Sequence, residues 1–265
     1  MSSLRTWKSI YYVHLLESIV YPATWVIWIL TDAVTCFAMP LVFSAAAGSG
    51  SIQGYARSDF FAYYGSLLMI TSFVTCHLMW EISYEIKEGI FSAQLVRPVN
   101  YLEWTFVRNL AWRVTRMCMA APIVGLLVVS GWGDVHWSQF HFSLPFFISM
   151  VLGSGVSFSV AIAMGMAALF FTEATSIFEL YYIPMLFLSG VLFPIAMLPS
   201  WAQSLAKYFP FYYTTGVPTE MLIGQLTGDR ALYAIGGQVI WIGLAYLLFR
   251  FLWKKGMPRY TGVGM

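Results

Sequence analysis

The sequence predicts an all-α membrane protein with six transmembrane helices, and three observations carry that prediction. Hydrophobic residues make up 59% of the 265 residues and charged ones only 10%, whereas a soluble domain has about 25% charged residues. The mean hydropathy is +0.72. Six stretches each supply the roughly 20 mostly apolar residues that a spanning helix needs. So few charges cannot cover a compact globule, which argues against a soluble enzyme, a disordered chain and a nucleic-acid binder. The net charge of +2 is too small to suggest a polyanion partner.

The expected spans are about Tyr21 to Phe43, Phe60 to Trp80, Leu110 to Ser130, Leu144 to Phe171, Ser176 to Met197 and Leu232 to Trp253. Ahead of them, residues 4–19 read as a short amphipathic helix on the membrane surface, with Leu4, Trp7, Ile10, Tyr11, His14, Leu15 and Ser18 close to one stripe. Arg5, Lys8, His14 and Glu17 there do not fit a cleaved signal peptide. Residues 1–265 are expected to form one transmembrane domain, with no soluble domain and no internal repeat.

Lysine and arginine set the orientation. With both termini in the cytoplasm, the inner side holds Arg5, Lys8, Lys87, Arg97, Arg108, Arg113, Arg116, Arg250, Lys254, Lys255 and Arg259. The outer side holds Arg57, Lys207 and Arg230. Trp132, Trp137, Trp201, Tyr208, Tyr212 and Tyr213 fit an outer aromatic belt. The location expected is the inner (plasma) membrane.

Residues 199–228 are unusually apolar for an outer loop. Pro199, Pro210 and Pro218 divide them into short pieces, of which WAQSLAKYF and TEMLIGQL each suit a short helix. They read as two half-helices dipping into the outer leaflet, with a loop on the headgroups as the alternative. Span five carries Pro184, Gly190 and Pro194 and should be kinked.

Catalytic signatures are missing. There is no phosphate-loop pattern, no nucleophile elbow and no H-E-x-x-H, so no catalytic residue and no metal site is assigned. Cys36, Cys76 and Cys118 are too scattered for a disulfide framework and read as small buried residues. His136 and His141 read as interfacial loop residues.

The segment WEISYEIKEGIFSAQLVRPVNYLEW is the most informative. Glu81, Glu85 and Glu88 fall at spacings of four and three and so share a helical face. Ile82, Ile86 and Ile90 line the adjacent face. Gly89 permits a break, and Arg97-Pro98 ends the helix in an extended turn. Periodicity alone would describe an ordinary surface helix.

Residues Lys87 to Asn100, with Glu88-Gly89, Leu95 and Arg97-Pro98-Val99-Asn100 in order, resemble the segment after the second span in permeases of the ABC-2 transporter type. The tail KKGMPRYTGVGM resembles the short tail of the same branch. The resemblance implies a permease that works as a homo- or heterodimer with a second permease chain, each half bound to a cytoplasmic ATP-binding subunit. ATP and Mg²⁺ are then expected on that partner and no cofactor on this chain. It implies a connecting helix at 4–19, a coupling helix at 81–96 and outer re-entrant half-helices at 199–228. Transport would be export. Glu81, Glu85, Lys87, Glu88 and Gly89 are the expected ATPase contact, with Arg97 and Pro98 fixing its geometry.

Charges inside a bilayer are costly and are functional candidates. Asp32 lies mid-span and either lines a path or makes a structural hydrogen bond. Glu220 lies in the second half-helix. Phe187 and Phe193 are further candidates for lining a path. A different reading is an ATP-independent, ion-coupled transporter or a scaffold, with Asp32 and Glu220 as coupling sites. Lipid, glycan, peptide, drug and even sodium-ion cargoes are all compatible with the sequence, and the scarcity of intramembrane charge favours an amphiphilic or apolar one over a highly charged one.

Overall fold

A computed structural model describes residues 4–20, 22–48, 50–171 and 173–261. Tyr21, at the expected start of span one, and the last four residues of the tail lie outside the described residues. So do the side chains of Ser18, Pro22, Thr24, Trp25, Trp28, Ile29 and Ala33.

The described chain is helical, and the one β-type contact among the described residues is an isolated bridge between Ile52 and Tyr55. Eleven α-helices follow in order: α1 Leu4–Val20, α2 Pro22–Ala47, α3 Arg57–Val74, α4 Leu78–Lys87, α5 Ile90–Leu95, α6 Tyr101–Val129, α7 Leu144–Gly165, α8 Ala174–Leu188, α9 Ser200–Ala206, α10 Val217–Leu222 and α11 Gly228–Gly256. Five helical stretches among the described residues are long and apolar enough to cross a membrane. They are Leu30–Ala47, Arg57–Lys87, Tyr101–Val129, Leu144–Leu169 and Gly228–Arg259.

The expected fifth span differs. Its helix α8 has 15 residues, about 22 Å at 1.5 Å per residue, against a hydrocarbon core of about 30 Å. It stops because Gly190 turns the chain at φ +86° and Pro194 follows. The broken stretch frees carbonyls that lipid cannot satisfy. Tyr63 donates to the Gly190 carbonyl at 2.7 Å, Tyr64 to that of Leu192 at 2.6 Å and Thr215 to that of Ser189 at 3.0 Å. Span two is also interrupted: Thr75, Cys76 and His77 are non-helical and separate α3 from α4.

α1 packs along α6. Trp7, Ile10, Tyr11, His14 and Leu15 face inward as the stripe predicts, while Leu4 is exposed. Tyr12, Val13, Leu16 and Ile19 are exposed apolar residues on the other face, so the helix is apolar on both sides.

α7 packs along α11, and α3 is buried against α2, α6 and α7. Gln238 on α11 clamps this core, its amide donating to the Ser149 carbonyl and to the Tyr213 carbonyl, at 3.0 and 2.9 Å. One apolar cluster, with Leu78, Ile82, Phe91, Tyr101, Met166 and Phe249, closes the end where α1 begins and α11 finishes. At that end Trp253 stacks on Tyr101 and Trp7 reaches Glu103. A second cluster, with Val74, Phe146, Phe211, Val217, Met221 and Ala231, fills the opposite end.

Residues 199–226 lie at that opposite end. α9 matches WAQSLAKYF, but the second helical piece starts earlier than expected. It runs from Pro210 through a π-helical turn at Tyr212–Gly216 into α10, and it stops at Leu222. Residues 214–219 are buried, so this piece is core and not a loop resting on headgroups. Burial also corrects the aromatic belt. Tyr212 is buried and Trp132 packs edge-on against Phe61 at 4.5 Å, whereas Trp137, Trp201 and Tyr208 are exposed. Cys118, expected to be buried, is exposed on α6.

Candidate functional site

Two sites come from one helix, α6, which carries Arg108, Arg113 and Arg116. Asn100 starts it: its side-chain oxygen accepts from the Leu102 amide at 2.9 Å, an N-cap that satisfies one of the free donors of the first turn. The helix then runs unbroken into the bundle, and the three arginines are carried inward. Arg116 lies about 22 Å along the helix from its start. Arg113 and Arg116 are buried and do not belong to the cytoplasmic charge count. Without Arg108, Arg113 and Arg116 the excess at the terminus-bearing end is smaller and keeps its sign.

The first site joins α4, α5 and α6. Glu85 Oε1 lies 2.5 Å from Arg108 Nη1, and the Tyr101 hydroxyl donates to Glu85 Oε2 at 3.1 Å. Glu81 reaches the same arginine at 3.4 Å. Glu85 therefore points inward, onto α6 of its own chain. The i, i+4, i+7 spacing does not put the three glutamates on one solvent face, because Glu85 is drawn to the core with Ile82 and Ile86 while Glu81 and Glu88 stay exposed. Past the end of α4, Gly89 adopts φ +74°, the left-handed region that suits glycine, and this redirects the chain into α5. The expected single helix over 81–96 is thus two helices with a turn.

The outward surface of this corner includes Glu81, Tyr84, Lys87, Glu88, Ile90, Val96, Arg97 and Pro98. Lys87 is 3.8 Å from Glu173 at the start of α8. The Arg97 guanidinium lies over the Trp104 ring at 4.4 Å, a cation–π contact that fixes the turn before Pro98.

The second site is intramembrane. Arg116 Nη2 donates to Asp32 Oδ2, joining α6 to α2. The structural hydrogen bond to Asp32 thus comes from a neighbouring helix; Thr31 on its own helix donates to the Ile27 carbonyl. Arg113 donates to the Ser154 carbonyl of α7 at 3.0 Å. Asp32 also lines a small cavity with Thr71, Thr75, His77, Ser157, Tyr181, Tyr182 and Thr214. Its volume is about 90 Å³, room for a few waters and too little for a cargo. The α3–α4 break lines this cavity, which is where irregular backbone is tolerated at membrane depth. Phe187 and Phe193 pair with each other at 5.8 Å and lie outside it.

At the opposite end the Tyr212 hydroxyl donates to Glu220 Oε2 at 2.5 Å. Burial pushes the Glu220 carboxyl up to about 7, against the opposing pull of Tyr212, Lys207 and Arg230. Glu220 does not line the cavity that Asp32 lines.

Sequence reasoning missed Arg113, Arg116 and the cavity. The signal was present: WRVTRMC interrupts an apolar run with two arginines three apart, which points both to one face.

Five described helical stretches long and apolar enough to cross a membrane, packed into one bundle, define an integral membrane protein. The sequence profile of the ABC-2 family transporter proteins matches residues 29–264, and the chain belongs to that family. It is 27% identical over 227 residues to nodulation protein J of Rhizobium leguminosarum bv. viciae, covering 82% of this chain and 84% of that one. It is 25% identical over 195 residues to nodulation protein J of Rhizobium meliloti (strain 1021), covering 70% and 72%.

Proposed function

We propose that the chain is the membrane subunit of an ATP-driven exporter. It lies in the inner membrane with both ends of the chain in the cytoplasm and six crossings, α8 with its broken extension making the fifth. It pairs with a second permease chain, and a separate subunit binds ATP and Mg²⁺. The α4–α5 corner docks in that subunit. The observation that carries this reading is the corner's construction: Glu85, Arg108 and Tyr101 lock it to α6 from inside, while Tyr84, Lys87, Glu88 and Ile90 stay outward and available. A push on the α4–α5 corner then reaches α6 through the pair that Glu85 of α4 makes with Arg108, and α6 carries it to Arg116 and Asp32.

In this reading Glu81 and Glu85 position the corner, and Lys87, Glu88 and Gly89 shape the contact, with Arg97 and Pro98 holding the exit turn. The segment at 199–228 closes the outer end of the path. The relatives are named for nodulation, and the cargo proposed is amphiphilic, in keeping with the apolar surface and the scarcity of unpaired intramembrane charge.

The test is a detergent pull-down of tagged protein from its native host, with mass spectrometry and an ATPase assay. Recovery of an ATP-binding subunit, weakened by Lys87→Ala/Glu88→Ala, supports the reading. A folded complex-preserving preparation without such a subunit contradicts it and favours an ion-coupled transporter built on Asp32.

A further inference from the structure

A cleft of about 670 Å³ opens at the terminus-bearing end, between the end of α5, the start of α6 and the last turns of α11. It is a different space from the intramembrane cavity and from the outward face of the α4–α5 corner. Arg250 and Lys254 line it from α11, one turn apart and both exposed. Gln94 and Asn100 line it from the other side, and Phe249, Trp253 and Tyr101 form an aromatic wall.

Three features define what the cleft would hold. No acidic side chain is among its lining residues, and neither Arg250 nor Lys254 is in an ion pair among the described residues, so two positive charges face one space with no carboxylate partner among the described residues. The Gln94 side-chain oxygen is buried with no hydrogen-bond partner, while the Asn100 oxygen is already used as the α6 cap and leaves its amide free to donate. The α11 surface beside the cleft, with Tyr246, Leu247, Leu248 and Phe251, is exposed and apolar, so an acyl chain leaving the cleft finds a hydrocarbon-compatible wall.

We propose that this cleft binds an anionic phospholipid with a hydroxylated headgroup, of the phosphatidylglycerol kind, its phosphate between Arg250 and Lys254. A headgroup hydroxyl donates to the Gln94 oxygen, and the Asn100 amide donates to a phosphate oxygen. Basic clefts between spanning helices near the membrane surface suit such headgroups. The bound lipid bridges α11 to the turn that carries Arg97 and Pro98, so lipid composition would bear on the stiffness of the α4–α5 corner. The proposal rests on the orientation given above only in assigning the lipid to the cytoplasmic leaflet; the binding itself does not depend on an ATPase.

The test is native mass spectrometry of the purified chain released from nanodiscs containing equal phosphatidylglycerol and phosphatidylcholine. The wild type is expected to retain phosphatidylglycerol preferentially. Arg250→Gln/Lys254→Gln is expected to lower that preference by about tenfold or more, given the usual contribution of each basic residue near an anionic surface. Arg5→Gln/Lys255→Gln, which removes the same charge away from the cleft, should keep it. No preference in the wild type, an unchanged preference in the cleft variant, or an equal loss in the control overturns the proposal. If the cleft variant does not fold, phenylglyoxal labelling of Arg250 in the wild type decides. Protection in phosphatidylglycerol nanodiscs relative to phosphatidylcholine supports the site, and equal labelling contradicts it.

Discussion

Glu85 Oε1 on α4 lies 2.5 Å from Arg108 Nη1 on α6, and this buried pair is what makes the α4–α5 corner one body with a spanning helix. Removing one member of a buried ion pair strands the other, which typically costs about 3 to 5 kcal/mol. Arg108→Ala and Glu85→Ala are each expected to lower the thermal midpoint of the purified protein by several degrees. A paired replacement, Glu85→Leu/Arg108→Met, should recover most of the loss. Equal midpoints for the wild type and both single variants would show that the pair carries no stability.

Arg116 and Asp32 form the same kind of contact at membrane depth. Arg116→Met alone leaves Asp32 uncompensated, and folded yield should fall sharply. Asp32→Leu/Arg116→Met should fold. Cargo transport by that double variant then separates a structural pair from an ion-coupling one: retained transport places the pair in the scaffold, and transport lost from folded protein places it in the cycle.

Gly190 makes the turn after α8 possible. A Cβ there would sit 2.6 Å from the Tyr63 hydroxyl, which donates to the Gly190 carbonyl, and φ is +86°. A side chain in that region costs about 1 to 2 kcal/mol, before the displaced tyrosine is counted. Gly190→Ala should raise hydrogen exchange across residues 189–194 and at 214–216, whose Thr215 caps the Ser189 carbonyl. Unchanged exchange would show that the turn has room to relax.

Glu220 predicts a pH effect. Burial raises its carboxyl to about 7 in the folded protein, above the usual carboxylate range, so its contribution to stability is full at low pH and is lost as pH rises through 7. The groups around it are Tyr212, Lys207 and Arg230, with Tyr55 and Tyr63 from the α3 side. The wild type should lose thermal stability between pH 5 and pH 8 relative to Glu220→Gln, which keeps the acceptor for Tyr212 without the charge. Parallel pH profiles for the two proteins would contradict this placement of Glu220.

The bundle was legible in the sequence because apolar runs of spanning length leave little alternative, and the ends of α1 and α2 and the C-terminal end of α6 fall close to where the pattern puts them. What composition could not reveal was interruption. The break at Thr75–His77 contains no glycine or proline, so nothing local marks it; its residues line the cavity. The inward turn of Glu85 was hidden because spacing gives a shared face but not which way that face points. The choice is made by Arg108, 23 residues later, and the assignment of Arg108, Arg113 and Arg116 to the loop side concealed it. The gap between hydropathy and burial also explains Tyr212, which reads as a belt residue yet is core because Glu220 and Phe211 surround it.

The most direct measurement is site-specific photo-crosslinking in membranes of the native host, with a benzophenone amino acid at Glu88 and, as the comparison, at Tyr208. The account predicts a crosslink from position 88 to an ATP-binding subunit and none from position 208. A position-88 probe in assembled complexes that reaches only lipid or the permease itself would contradict the assignment of the α4–α5 corner as the docking element.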